Sequence, residues 1–206
     1  MSRTTATRTR SPRTRRPTGV GLGAVTAAIV KTRVHRSAWS WVPSFREVLR
    51  GGPSGRATEE DGALPGGVTV FDDEYPGIAN LDSALLHALR EAAAAAAGEG
   101  IEFYVNSGWR SPAYQNQLRR EAVSTYGSEA EAVRWVASAD TFAHVSGNAI
   151  DLGFDASMWL SGHGAEYGLC QIYRNEPWHY ELRSEANERG CPPVYPDPAH
   201  DPRMQQ

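Results

Sequence analysis

Apolar residues along this chain fall into two rhythms, one helical and one alternating. Leu81, Leu85, Leu86, Leu89 and Ala93 lie on one face of a 3.6-residue period. Asp82 or Ser83 supplies a cap, residues 92–97 are all alanine, and Gly98 suits a stop, so a helix is predicted over 82–97. Ile101, Phe103 and Val105 alternate as a strand does, and 68–71 reads as another short strand. Residues 106–112 read as a loop, after which Pro112 opens a helix to about Tyr126. Ser128 with Glu131 three residues on is a capping-box signature ahead of Val133, Trp135 and Val136. Ala149, Ile150 and Leu152 predict a strand that carries Asp151, and Asp155 a cap for a short helix ending near 162–164. Residues 167–173 and 178–182 read as two strands, and their short connection demands antiparallel pairing. No regular strand–helix–strand alternation appears. The expectation is an α+β domain with a small antiparallel sheet flanked by helices.

The ends of the chain differ from its middle. Residues 1–36 hold nine of the 21 basic residues and no acid, which leaves 12 basic residues against all 24 acidic ones in the remainder. A body so acidic is not expected to bind nucleic acid. Six arginines precede residues 19–30, a stretch of 12 without charge. That is near the length of a signal-peptide core and too short to span a bilayer. An export or anchoring segment and a plain basic tail are both open readings. The first implies an extracytoplasmic protein, with any membrane association confined to this segment. Residues 37–67 contain Gly and Pro breakers and no apolar period, and read as a linker. The domain is expected over 68–203, with five prolines from Pro192 onward marking an irregular tail. Cys170 and Cys191 are an even pair, bonded in an oxidising compartment and free otherwise.

Candidate chemistry is concentrated within 36 residues. His144, Asp151 and His179 offer two imidazoles and a carboxylate, the number and kind of ligands a catalytic zinc takes while keeping one position for water. Glu176, three residues before His179, is placed as a base for that water or as an orienting partner of the histidine. Gly147 and Ala149 permit close backbone approach between the first two ligands, and Pro177 and Trp178 stiffen the approach to the third.

These residues, with Ser107, Gly108, Trp109, Arg110 and Ser111, resemble the zinc D-Ala-D-Ala carboxypeptidases of the VanY type. That group is related to the VanX dipeptidases, the lysostaphin-like peptidases and the hedgehog N-terminal domain. The resemblance covers roughly residues 68–203, with all three motifs in the family's order. It implies one Zn²⁺ held by His144, Asp151 and His179 in an α+β fold, and Glu176 as general base. It implies Arg110 as the group that grips the scissile carbonyl or the substrate carboxylate, where an ordinary ion pair is the plain alternative. Gln115 stands where the family often has a substrate-contacting glutamine; a helix-surface glutamine is the alternative. The implied partner is a peptidoglycan stem peptide or precursor ending in D-Ala-D-Ala. The implied reaction is hydrolysis of that terminal bond, with a D,D-dipeptidase, a cross-link endopeptidase or a silent zinc-binding domain as other members' roles. Two positions depart from the pattern without removing a ligand: Asn148 stands where related sequences often carry Asp or another polar residue, and Phe142 stands where the family usually has a serine and has no side-chain hydrogen bond to offer a substrate.

Overall fold

The structure, a computed structural model, describes residues 57–205. The basic segment at 1–36, most of the linker and the aromatic residues Trp39, Trp41 and Phe45 lie outside the described residues. Residues 57–67, expected as linker, pack on the domain instead. Ser111 donates from its backbone N–H to the Asp61 carbonyl (2.8 Å) and from its hydroxyl to the Asp61 carboxylate (2.8 Å), and Leu64 lies against the core. A composition rich in breakers concealed this, because docking here uses hydrogen bonds and one leucine rather than a periodic apolar face.

Helix α1 (Pro76–Ala79) leads into α2 (Ser83–Ala97), whose first turn is closed by the Asp82 carboxylate accepting from the N–H groups of Ala84 and Leu85. Strand β1 (Val105–Ser107) is followed by α3 (Pro112–Tyr126) and α4 (Glu129–Ala132). Strand β2 (Ala149–Leu152) then leads to α5 (Phe154–His163), β3 (Leu169–Gln171), β4 (His179–Leu182) and α6 (Ala186–Arg189). The four strands form one antiparallel sheet in the order β1-β2-β4-β3, as the expected fold class requires.

Several local expectations shift. Residues 68–71 make only an isolated bridge, Thr69 with Tyr104, since the Asp72 carboxylate captures the Thr69 N–H at 2.6 Å. Asn106 and Ser107, expected in a loop, are strand, because Ser107 pairs with Asp151. Gly153, not Asp155, caps α5; Asp155 sits in the first turn, where its charge suits the helix dipole. The segment before β3 is a 3-10 turn (Gly164–Tyr167).

The sheet has two unlike faces. Ile150, Leu152 and Tyr180 point to one side, against Leu85, Leu89 and Ala92 of α2 and Trp159 and Leu160 of α5. Successive strand residues alternate faces, so Asp151, His179 and Glu181 point to the other side. A smaller cluster of Phe142, Cys170, Ile172, Tyr173 and Ala186 forms beside them. Cys170 and Cys191 are joined by a disulfide across 21 residues, which ties β3 to the chain after α6. Replacing both cysteines by alanine is expected to lower unfolding free energy by roughly 3 kcal/mol, read as a shift in the denaturant midpoint. An unchanged midpoint would show that the bond contributes nothing.

Candidate metal centre

Strand register assembles the site. Asp151 of β2 faces His179 of β4 on one side and Ser107 of β1 on the other, so three polar residues form a row across three strands. His144 arrives from the turn before β2. That turn is pinned where the Asp82 N–H donates to the Gly147 carbonyl at 2.9 Å, and Gly147 adopts φ +76°. A β-carbon there would stand 2.5 Å from the Asn80 carbonyl oxygen, so the position requires glycine. All three ligand candidates are buried, with His144 and His179 at 0% exposure.

Their tautomers follow from what lies behind them. The carbonyl of Gly108 can only accept, so His144 Nδ1–H donates to it (2.6 Å) and Nε2 faces inward with its lone pair. His179 donates from Nε2–H to the Glu181 carboxylate (3.3 Å) and turns Nδ1 inward. Asp151 Oδ1 completes the set. The three inward atoms are separated by 3.1, 3.2 and 3.3 Å. Corners of a tetrahedron around a zinc bonded at about 2.0 Å lie about 3.3 Å apart, so the donor set fits such an ion in kind and in size. Among the described residues, this is the group able to hold a metal.

Three acceptors facing one point repel unless a cation stands between them. Burial pushes His144 down to about 4, with the Arg110 charge adding to the effect, so it is neutral and ready to donate its lone pair. Burial would lower His179 too, but hydrogen bonds to Asp151 and Glu181 and the charges of Asp151 and Glu176 raise it to about 10. A metal bound at this centre would take the place of that proton. Burial alone would raise Asp151; His144, His179 and Arg110 outweigh it and hold the carboxyl well below the usual range.

Glu176 lies on the turn between β3 and β4. Its Oε2 is 3.8 Å from His179 Nδ1, and its buried Oε1 has no hydrogen-bond partner among the described residues. Burial raises its carboxyl to about 8, against the pull of His179 and Arg110. Arg110 is 1% exposed and reaches Ser107 Oγ (2.7 Å), Gln115 Oε1 (3.1 Å) and Asp151 Oδ2 (2.7 Å). The last contact leaves Oδ1 of Asp151 for a metal. Gln115 is fully buried, its amide donating to the Ala137 carbonyl while its oxygen accepts from Arg110. The structure therefore places it behind Arg110 rather than on a helix surface. Phe142 covers the centre: its ring centroid lies 5.1 Å from that of His144, 5.9 Å from that of His179 and 5.8 Å from the Arg110 guanidinium carbon.

Three features were not assigned to the site from the sequence: the Gly108 carbonyl, Glu181, which reads there only as a strand neighbour of His179, and Arg203. Glu181 carried a usable signal, since a residue two along a strand from His179 must share its face. Arg203 carried none, lying 22 positions along the chain from Glu181 and beyond α6.

Comparison with known proteins gives the lineage. A curated D-alanyl-D-alanine carboxypeptidase from Enterococcus faecalis (strain ATCC 700802 / V583) is 27% identical over 139 residues, covering 53% of this chain. The chain spans about half the length of that relative, 52%. Solved structures with similarity include a variant of the vancomycin-resistance D,D-pentapeptidase VanY in complex with Zn(II), at 24% identity, TM-score 0.49, 54% of this chain and 80% of that one. Another is VanYB in complex with D-alanine-D-alanine, at 26% identity, TM-score 0.49, 53% of this chain and 74% of that one. The family model for VanY, D-alanyl-D-alanine carboxypeptidase, matches residues 79–184, just over half of the chain and all of the centre described above, and the protein belongs to that family.

Proposed function

We propose that the protein is a zinc D,D-carboxypeptidase that hydrolyses the terminal D-Ala-D-Ala bond of peptidoglycan stem peptides. The observation that carries this is the convergence of three buried lone pairs beside a buried carboxylate oxygen without a partner. Zinc held by His144, Asp151 and His179 would polarise the scissile carbonyl and make a water acidic near pH 7. Glu176 accepts the proton of the attacking water and returns it to the departing amine of D-Ala as the C–N bond breaks. Arg110, fixed by Ser107 and Gln115, presents a permanent positive charge to the oxygen that becomes negative, or to the substrate's free carboxylate. Gln115 serves this role through Arg110.

The disulfide supports an extracytoplasmic location, where such bonds persist and where peptidoglycan lies. Among the described residues no helix is long and apolar enough to cross a membrane. The basic segment at 1–36 stands as the proposed export or anchoring element, ahead of a linker and the peptidase domain.

Purified full-length protein is expected to bind one zinc and release D-Ala from a muramyl pentapeptide. Zinc that binds without any D-Ala release would sink the carboxypeptidase reading; release from free D-Ala-D-Ala alone would make it a dipeptidase. The zinc affinity should fall as the medium is acidified, measured by chelator competition between pH 8 and pH 5. Zinc must displace the proton on His179, whose folded value is raised to about 10, so each step toward acid favours the proton. An affinity that rises toward acid would contradict the ligand assignment.

A further inference from the structure

The segment that follows the family-matched residues reaches back to the centre. Tyr195 donates from its N–H to the Ile172 carbonyl (2.9 Å) and accepts at its own carbonyl from Arg174 N–H (2.9 Å), so the chain lies alongside Tyr173. Asn175 N–H donates to the Pro196 carbonyl (3.3 Å), one residue before Glu176. Asp197, 1% exposed, accepts from Arg134 Nε (2.9 Å) and pairs with His200 Nδ1 (2.6 Å). Arg203 then extends two nitrogens to the buried Glu181 carboxylate, Nη1 to Oε2 at 2.6 Å and Nη2 to Oε1 at 3.2 Å. Its Nε is held by Asp201 (3.0 and 3.1 Å), and Asp201 accepts from the Tyr173 hydroxyl at 3.0 Å. The Tyr173 ring stands 5.0 Å from the ring of His179. These contacts close a circuit: His179, Glu181, Arg203, Asp201, Tyr173 and back to His179.

We propose that residues 195–203 form a strap that fixes the orientation of His179, with Glu181 and Arg203 as its positioning residues. The proposal rests on the metal-centre reading. A carboxylate behind a ligating imidazole sets the ring's rotation and strengthens its lone pair. Here that carboxylate sits at the end of three rotatable bonds, and the bidentate grip of Arg203 restrains them. Arg183 also reaches Glu181 Oε2 (2.7 Å), but it contacts one oxygen and leaves Oε1, the atom facing His179, without a second restraint. The strap therefore connects the far end of the domain to the metal ligand.

Two measurements on the full chain test it. The first is zinc affinity by chelator competition for wild type, Glu181→Gln, Arg203→Met and Arg203→Lys. The Gln and Met variants are expected to bind zinc about 10- to 100-fold more weakly. Arg203→Lys, which keeps the charge and loses the two-point grip, is expected between them and wild type, and it serves alone should Arg203→Met not fold. The second is the ¹H NMR signal of the His179 Nε2–H in zinc-free protein. It is expected to be protected from solvent exchange in wild type and to exchange faster in the Met and Lys variants. Arg203 variants with wild-type zinc affinity and an equally protected Nε2–H overturn the strap. A wild type that takes up no zinc, yet shows Nε2–H protection lost on changing Arg203, supports the strap and overturns the metal-centre reading instead.

Discussion

Glu176→Gln is expected to lower D-Ala release about 10²- to 10⁴-fold while zinc binding stays near wild type. The substitution keeps the size of the side chain and removes its ability to take a proton. Glu176 is not one of the three converging donors; its nearer oxygen lies 3.8 Å from His179 Nδ1. Its other oxygen is buried without a hydrogen-bond partner among the described residues, an arrangement that costs stability unless a substrate or water uses it. Burial raises the carboxyl to about 8, and a cation beside His179 would work against that rise and favour the ionised form that can take a proton. The measurement is zinc content together with the rate of D-Ala release at saturating substrate. Wild-type rates in the Gln variant would remove Glu176 from the chemistry. Loss of zinc in the same variant would make it a ligand.

Asp151→Asn is expected to abolish zinc binding and to destabilise the fold by about 3–5 kcal/mol. Both effects trace to the two oxygens of one side chain. Oδ1 is the inward donor that meets His144 and His179, and Oδ2 neutralises the buried Arg110 at 2.7 Å. An amide there carries no charge, so the buried guanidinium loses the carboxylate that Oδ2 presents to it. A ligand exchange at His144 lacks this second cost, since its outer nitrogen meets only a backbone carbonyl. Chemical denaturation of zinc-free Asp151→Asn beside zinc-free His144→Ala separates the two contributions. A zinc-free Asp151→Asn protein as stable as wild type would show that the Arg110 pair is not a structural element.

Much of the secondary structure could be read from neighbouring residues. The Asp82 cap and the Pro112 start both mark helix boundaries that occur as read, because a cap is decided within one turn of chain. The strand over 149–152 also follows from its own apolar residues. The segments misread were those whose pairing lies elsewhere. Ser107 is strand because Asp151 faces it, and residues 68–71 fail as a strand because a nearby carboxylate takes the N–H a ladder would need. Arg110 could be recognised by its motif, but its partner could not: Asp151 is 41 residues away and meets it only when β1 and β2 pair.

Which atoms could bind a metal was legible from residue types and their spacing. His144, Asp151 and His179 are donors that could hold a metal, Glu176 is the extra carboxylate, and small residues between them allow the chain to turn. Composition set the acidic body apart from the basic first segment. Tertiary structure alone decided the direction in which each atom points. Register placed Asp151 beside His179, the Gly108 carbonyl and Glu181 turned the two imidazoles inward, and Gln115 became a brace for Arg110. Arg203 entered the centre's surroundings from a tail that reads as irregular. The physical reason is range. Propensity, capping and strand alternation act over a few residues, whereas the orientation of a buried polar group is set by whichever donor or acceptor the folded chain brings to its far side.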